Sequence, residues 1–112
     1  MRYILILFLV LFMPLALWAE NTEKIDSLED RLEQTEQSKR AKILNELAIE
    51  YLAISPEQSR SYSNNALRLA KKYSQSSDEA LALKLIGKAY HYEKDYENAM
   101  VQCRKSLALC ES

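Results

Sequence analysis

The side chains able to do acid–base, nucleophilic or metal chemistry are few. Among 112 residues there is one His, His91, and there are two Cys, Cys103 and Cys110. One His and two Cys cannot fill a four-ligand zinc site without carboxylates, so no metal site is expected. A general base needs a nucleophile and an orienting group within reach, and the sequence supplies neither around His91, which reads as a surface histidine. Cys103 and Cys110 lie seven positions apart. On one helix, at about 1.5 Å of rise per residue, their Cα atoms stand about 10 Å apart. A disulfide needs them within about 7 Å, so an internal bridge is excluded while that helix is intact. Cys110 is the better candidate for a bridge between chains. A single Gly cannot build a phosphate-cradling loop, and no cofactor or enzymatic role is expected. A formal charge of −1, with no basic stripe interleaved with aromatics, argues against nucleic acid. One polar constellation remains. Lys84, Lys88 and either His91 or Tyr92 share a helix face by i, i+4 and i, i+3 spacing. The bland alternative for that face is simple solvation.

The elements that must carry these residues are helical. One Gly and two Pro are too few for a many-turned β fold, and the length suits one small domain. Residues 1–19 are a different material: Arg2, then an unbroken apolar run from Tyr3 to Met13, then Pro14 and Leu15–Ala19. That layout is expected to be a secretory signal peptide, with Ala19 as the small residue before the cut. The rival is a short uncleaved anchor, which would be the chain's one attachment to a membrane. Export to the periplasm or the medium is expected in the first case. Both place the rest of the chain on the exported side. Residues 20–38 hold a short helix with Ile25, Leu28 and Leu32 on one face, expected to cap the N-terminal end.

From Ser38 or Lys39 onward, the apolar spacing predicts four helices. The first carries Ile43, Leu44, Leu47, Ala48 and Tyr51. The next opens at Ser55-Pro56-Glu57-Gln58, with proline at its first position and a Ser-x-x-Gln capping box. A polar link from Ser74 to Glu79, containing a Ser76-x-x-Glu79 box, leads to the third. Asp95 caps the last, which runs from about Tyr96 to Leu109. The pattern repeats. Leu44-x-x-Leu47-Ala48-x-x-Tyr51 matches Leu83-x-x-Ile86-Gly87-x-x-Tyr90 at a distance of 39 residues, and Ala66-Leu67-x-Leu69 matches Ser106-Leu107-x-Leu109 at 40.

These residues resemble the tetratricopeptide repeat (TPR), whose pattern is W-x2-L-G-x2-Y, then A-x3-F, then P. The second unit supplies Leu83, Ile86-Gly87 and Tyr90, then Tyr96 where the second helix opens, then Ala99 and Cys103 in the A-x3-F slots. Cys103 is accordingly expected to fill core. The first unit places Ser59 and Ser63 in those slots, a poor fit. The resemblance implies an all-α fold of antiparallel helix pairs, over 41–73 and 80–111, stacked as a short right-handed α-solenoid. The extra length over a standard repeat is assigned to the link between pairs. It also implies an exported bacterial scaffold that binds a protein or peptide, or alternatively the N-terminal sensory part of a larger sensor kinase or transcriptional regulator. In such stacks the first helix of each pair lines a groove. Here that gives Lys42, Asn45, Ile49, Leu52 and Ala53 on one helix and Leu81, Lys84, Lys88, His91 and Tyr92 on the other. A groove apolar at one end and basic at the other would take a peptide with an acidic feature. Two units are fewer than such stacks need, so residues such as Val101, Ala108 and Leu109 are expected to stand uncovered. Truncation, self-association through the C-terminal helix, or a capping partner would each follow from that.

Overall fold

A computed structural model describes the backbone from residue 22 to 111 and the side chains as far as Leu109. The expected signal segment at 1–19 lies outside the described residues, as does the side chain of Cys110. The described chain is all-α. Helix α1 covers 22–33, and a short 3-10 turn spans Gln37–Lys39. Then come α2 at Arg40–Tyr51, α3 at Pro56–Lys72, α4 at Ser76–Tyr92 and α5 at Tyr96–Glu111. Among the described residues no helix is long and apolar enough to cross a membrane.

Local chemistry sets the boundaries. Ser55 is extended (φ −150°, ψ 90°), and its hydroxyl accepts a hydrogen bond from the Gln58 amide at 3.3 Å, with Pro56 opening α3. The reciprocal half of the expected capping box is not used. The Ser55 amide donates instead to the Tyr51 carbonyl at 2.7 Å, which folds the loop back on α2. At α5 the Asp95 carboxylate accepts from the Asn98 amide at 3.3 Å and from its side chain at 2.7 Å.

The link before α4 differs from the expectation. It is only Tyr73–Gln75, and Ser76 is already helical, so the proposed Ser76 box does not form. Gln75 takes the cap position without a side-chain cap; its amide nitrogen donates to the Ser38 carbonyl. The brevity has a backbone cause. Ser74 adopts a left-handed φ of 55°, and the Gln75 amide reaches back to Ala70 at 2.8 Å while Ser74 bonds Lys71 at 3.3 Å. Lys94 (φ 64°) repeats this, with Asp95 bonding Tyr90 at 2.8 Å and Lys94 bonding His91 at 3.0 Å. Both are Schellman endings, which reverse the chain in three residues. The long repeat period therefore comes from the 17-residue helices α3 and α4, not from a longer link. The one-residue difference between the two halves is a net one: counted from the matched Leu44 and Leu83, α4 runs two residues further than α2, and its loop, 93–95, is one residue shorter than 52–55.

Each helix from α2 onward packs on the next, and α2 also touches α4. Small residues mark the close approaches. Ala41, Ala66, Ala70 and Ala82 are fully buried together with Leu44 and Leu69. A second cluster joins α1 to α2 through Ile25, Leu28, Ile43 and Leu47. Tyr51 and Tyr62 stack there with ring centroids 5.4 Å apart. The Tyr62 hydroxyl donates to Glu29 at 3.1 Å, which ties α1 to α3. Burial, then this bond to a carboxylate, pushes the Tyr62 phenol up to about 12. Tyr51 is raised as well, by burial first and then by Glu29 and Asp26.

The two serines in the second helix of the first repeat unit are built in. Ser59 and Ser63 are both fully buried. At the end of α2 the Leu52 amide bonds Ile49 at 3.3 Å, so it does not continue the ladder to Ala48. The Ser59 hydroxyl donates to the Ala48 carbonyl at 2.6 Å and takes that place. The Ser63 hydroxyl donates to the Ser59 carbonyl at 2.8 Å.

Candidate binding surface

Helices α2 and α4 were expected to line a groove, and their residues separate into buried and open sets. Leu44, Leu47, Ala48, Leu83 and Ile86 are buried, and Tyr51 and Tyr90 are half-buried. Gly87 is buried where α4 meets α5. A Cβ placed on it would lie 2.9 Å from the Cys103 sulfur and 3.2 Å from the Ala99 carbonyl oxygen. Ala99 is buried as well. These small residues let α4 and α5 approach closely.

Three expectations fail in this region. Asn45 does not line an open surface: it is 1% exposed, and its amide nitrogen donates to the Asp78 carbonyl at 3.1 Å. Asn45 joins α2 to the start of α4, where Ala41 and Ala82 leave room for that approach, and its own amide oxygen is buried with no partner. Tyr96, which the repeat resemblance counts among its packing residues, does not pack inward. It is 55% exposed, as the first residue after the Asp95 cap, and rests edge-on against His91 at 5.2 Å between ring centroids. Cys103 is exposed rather than core, because its sulfur lies over side-chain-free Gly87 and no further helix covers it among the described residues.

The open residues do not form one continuous groove. On α2, Lys42 and Ile49 are exposed; in the turn after it Ala53 is exposed and Leu52 half-buried. Ile49 lines a cleft of about 290 Å³ on the α1 side. Two ion pairs rim that cleft, Lys24 with Glu50 at 3.0 Å and Arg31 with Glu46 at 3.8 Å. On α4, Leu81, Lys84, Lys88, His91 and Tyr92 are all exposed. Lys88 and His91 line a separate cleft of about 350 Å³ toward α5, with Tyr96, Met100 and Cys103. The basic end of the expected surface therefore exists on α4, while its apolar end faces α1.

Sequence reasoning missed a larger cleft of about 480 Å³ between α3, α4 and α5, lined by Leu67, Lys71, Ile86, Lys105 and Ala108 among others. Its one signal was Ala108, expected to stand uncovered; Leu67 is half-buried and packs on the core as well. Among the described residues no cluster of three His, Cys, Asp or Glu could hold a metal ion. The exposed face of α4 carries two cations, Lys84 and Lys88, beside two ring systems, His91 and Tyr92. No family model matches the chain, and neither does any curated protein or solved structure.

Proposed function

We propose that this chain is an exported, non-catalytic scaffold of TPR type, with α2/α3 and α4/α5 as its two helix pairs stacked into a short right-handed solenoid. One observation carries the reading. Ala48 and Gly87, equivalent positions of the internal repeat, are both buried, each at a contact between the two helices of one pair. Export rests on the apolar N-terminal sequence. The binding surface is the exposed face of α4. Lys84 and Lys88 supply paired cations, and His91 and Tyr92 supply flat apolar contact beside them. That chemistry suits a peptide bearing carboxylates.

The test uses the full chain and a peptide library graded from acidic to basic, read by fluorescence anisotropy. Saturable binding of acidic peptides is expected, and the double variant K84E/K88E should weaken it by on the order of tenfold or more. Both lysines are exposed, so the variant should keep its helix content. Binding that is unchanged in the double variant, or absent for every peptide up to about 1 mM, refutes the reading.

A further inference from the structure

Helix α5 presents a second apolar stripe beside the side it packs on α4, whose inner edge, Tyr96 and Cys103, also meets His91 and Gly87. Its contact with α4 runs through Ala99, which is buried, and Ser106, whose hydroxyl donates to the Ala80 carbonyl at 2.8 Å. Beside that line stand Tyr96, Met100, Cys103 and Leu107, spaced four, three and four. All are exposed; Met100 is at 56% and Leu107 at 63%. A 4-3-4 spacing is the seam of a helix that packs along another helix.

The chain itself shows what settles on such a face. Forty residues earlier, the equivalent side of α3 carries Arg60, Ser63 and Leu67. There the Arg60 guanidinium lies 4.6 Å from the ring centroid of Tyr90 on α4 and 3.0 Å from the carboxylate of Glu93, which caps the end of that helix. Arg60, near the start of α3, meets residues near the end of α4, so α4 runs back along α3. On α5 the equivalent positions hold Met100, Cys103 and Leu107. They are more apolar than the covered set, and they are open.

We infer that α5 pairs antiparallel with α5 of a second copy of this chain, across a two-fold axis. The flanking charges choose this occupant. Glu97 and Arg104 lie on the edge of the seam away from α4, and both are exposed. In an antiparallel pair with Met100 opposite Cys103 of the second copy, Tyr96 faces Leu107, and Glu97 lies beside Arg104 of the second copy. The two-fold makes that contact twice. A parallel pair brings the same flank against uncharged residues and gains neither contact. The stripe is thus self-complementary in shape and in charge. This inference does not rest on the α4 binding surface.

The test is sedimentation equilibrium of the full chain, residues 1–112, in mild detergent, with the single variants E97R and R104E. The wild type should be dimeric. Each variant sets like charges together at both contacts and should weaken the dimer by on the order of tenfold, with circular dichroism unchanged. An equimolar mixture of the two should restore a dimer, now hetero, since each Arg meets a Glu again. L107K should abolish the dimer. A wild type that stays monomeric up to about 100 μM overturns the inference. A dimer of equal strength in wild type, both charge variants and L107K also overturns it, because association would then lie elsewhere in the chain.

Discussion

Ser59→Ala sets the family pattern against the structure. The TPR motif that the sequence resembles has alanine in the matching slot, so on that resemblance the substitution reads as a repair. The geometry reads otherwise. Ser59 is fully buried, and its hydroxyl donates to the Ala48 carbonyl at 2.6 Å, at the point where the α2 ladder is broken. Removing the hydroxyl leaves a buried carbonyl short of a donor, at a cost of about 1–3 kcal/mol. Alanine regains about 0.5 kcal/mol of helix propensity. The hydrogen bond wins, and a net loss of about 1–2 kcal/mol is expected. For a domain of this size each kcal/mol shifts the melting temperature by about 4–8 °C, so a fall of roughly 5–15 °C should follow. Ser63→Ala is the internal control. The Ser63 hydroxyl donates to the Ser59 carbonyl inside α3, a group the helix ladder can already satisfy, so this change should be close to neutral. Thermal unfolding of the full chain by far-UV circular dichroism measures both. The reasoning is refuted if Ser59→Ala melts at or above the wild-type temperature, or if the two variants fall equally.

Two further outcomes follow from other parts of the fold. The folded chain holds the Tyr62 phenol at about 12, above its ordinary value of 10.0, so the folded form keeps this proton longer than the unfolded one. The contribution is complete below about pH 10 and is lost as pH rises toward about 12; stability should fall across that window, and Tyr62→Phe should flatten the fall in an alkaline titration followed by circular dichroism. Ser74 and Lys94 hold left-handed backbones that glycine adopts without strain. Ser74→Gly and Lys94→Gly should each raise stability by about 0.5–1 kcal/mol in urea unfolding, and a loss at either site would contradict the Schellman assignment.

Much of the helical frame was legible in the sequence. The Ser55-Pro56 and Asp95 starts can be read because their caps are local, settled within three residues of chain. The ends of α3 and α4 were not legible. Their Schellman turns use Ser74 and Lys94, whereas the chain's one glycine sits inside α4, so the usual marker of a helix end pointed elsewhere. Asn45 was misread for a different reason. A polar residue off the apolar stripe reads as solvent-facing, and nothing local announces an acceptor 33 positions later, at the Asp78 carbonyl. Ser59 likewise has its partner across a loop, which turns an apparent misfit into a fitted contact. The α4 cations were legible as a face by spacing alone. Their separation from Ile49 was not, because it depends on where α1 lies.

The burial of α5 is shallow. Ala99 is its one buried hydrophobic among the described residues, whereas α2 buries Ala41, Ile43, Leu44, Leu47 and Ala48. Amide hydrogens in a segment so thinly held exchange with solvent through local opening, long before the whole chain unfolds. The α5 amides should therefore exchange first, and those of α2 and α4 last. A second chain seated along α5 would slow exchange there and nowhere else. The least protected helix of the isolated chain would then report, amide by amide, whether it is alone.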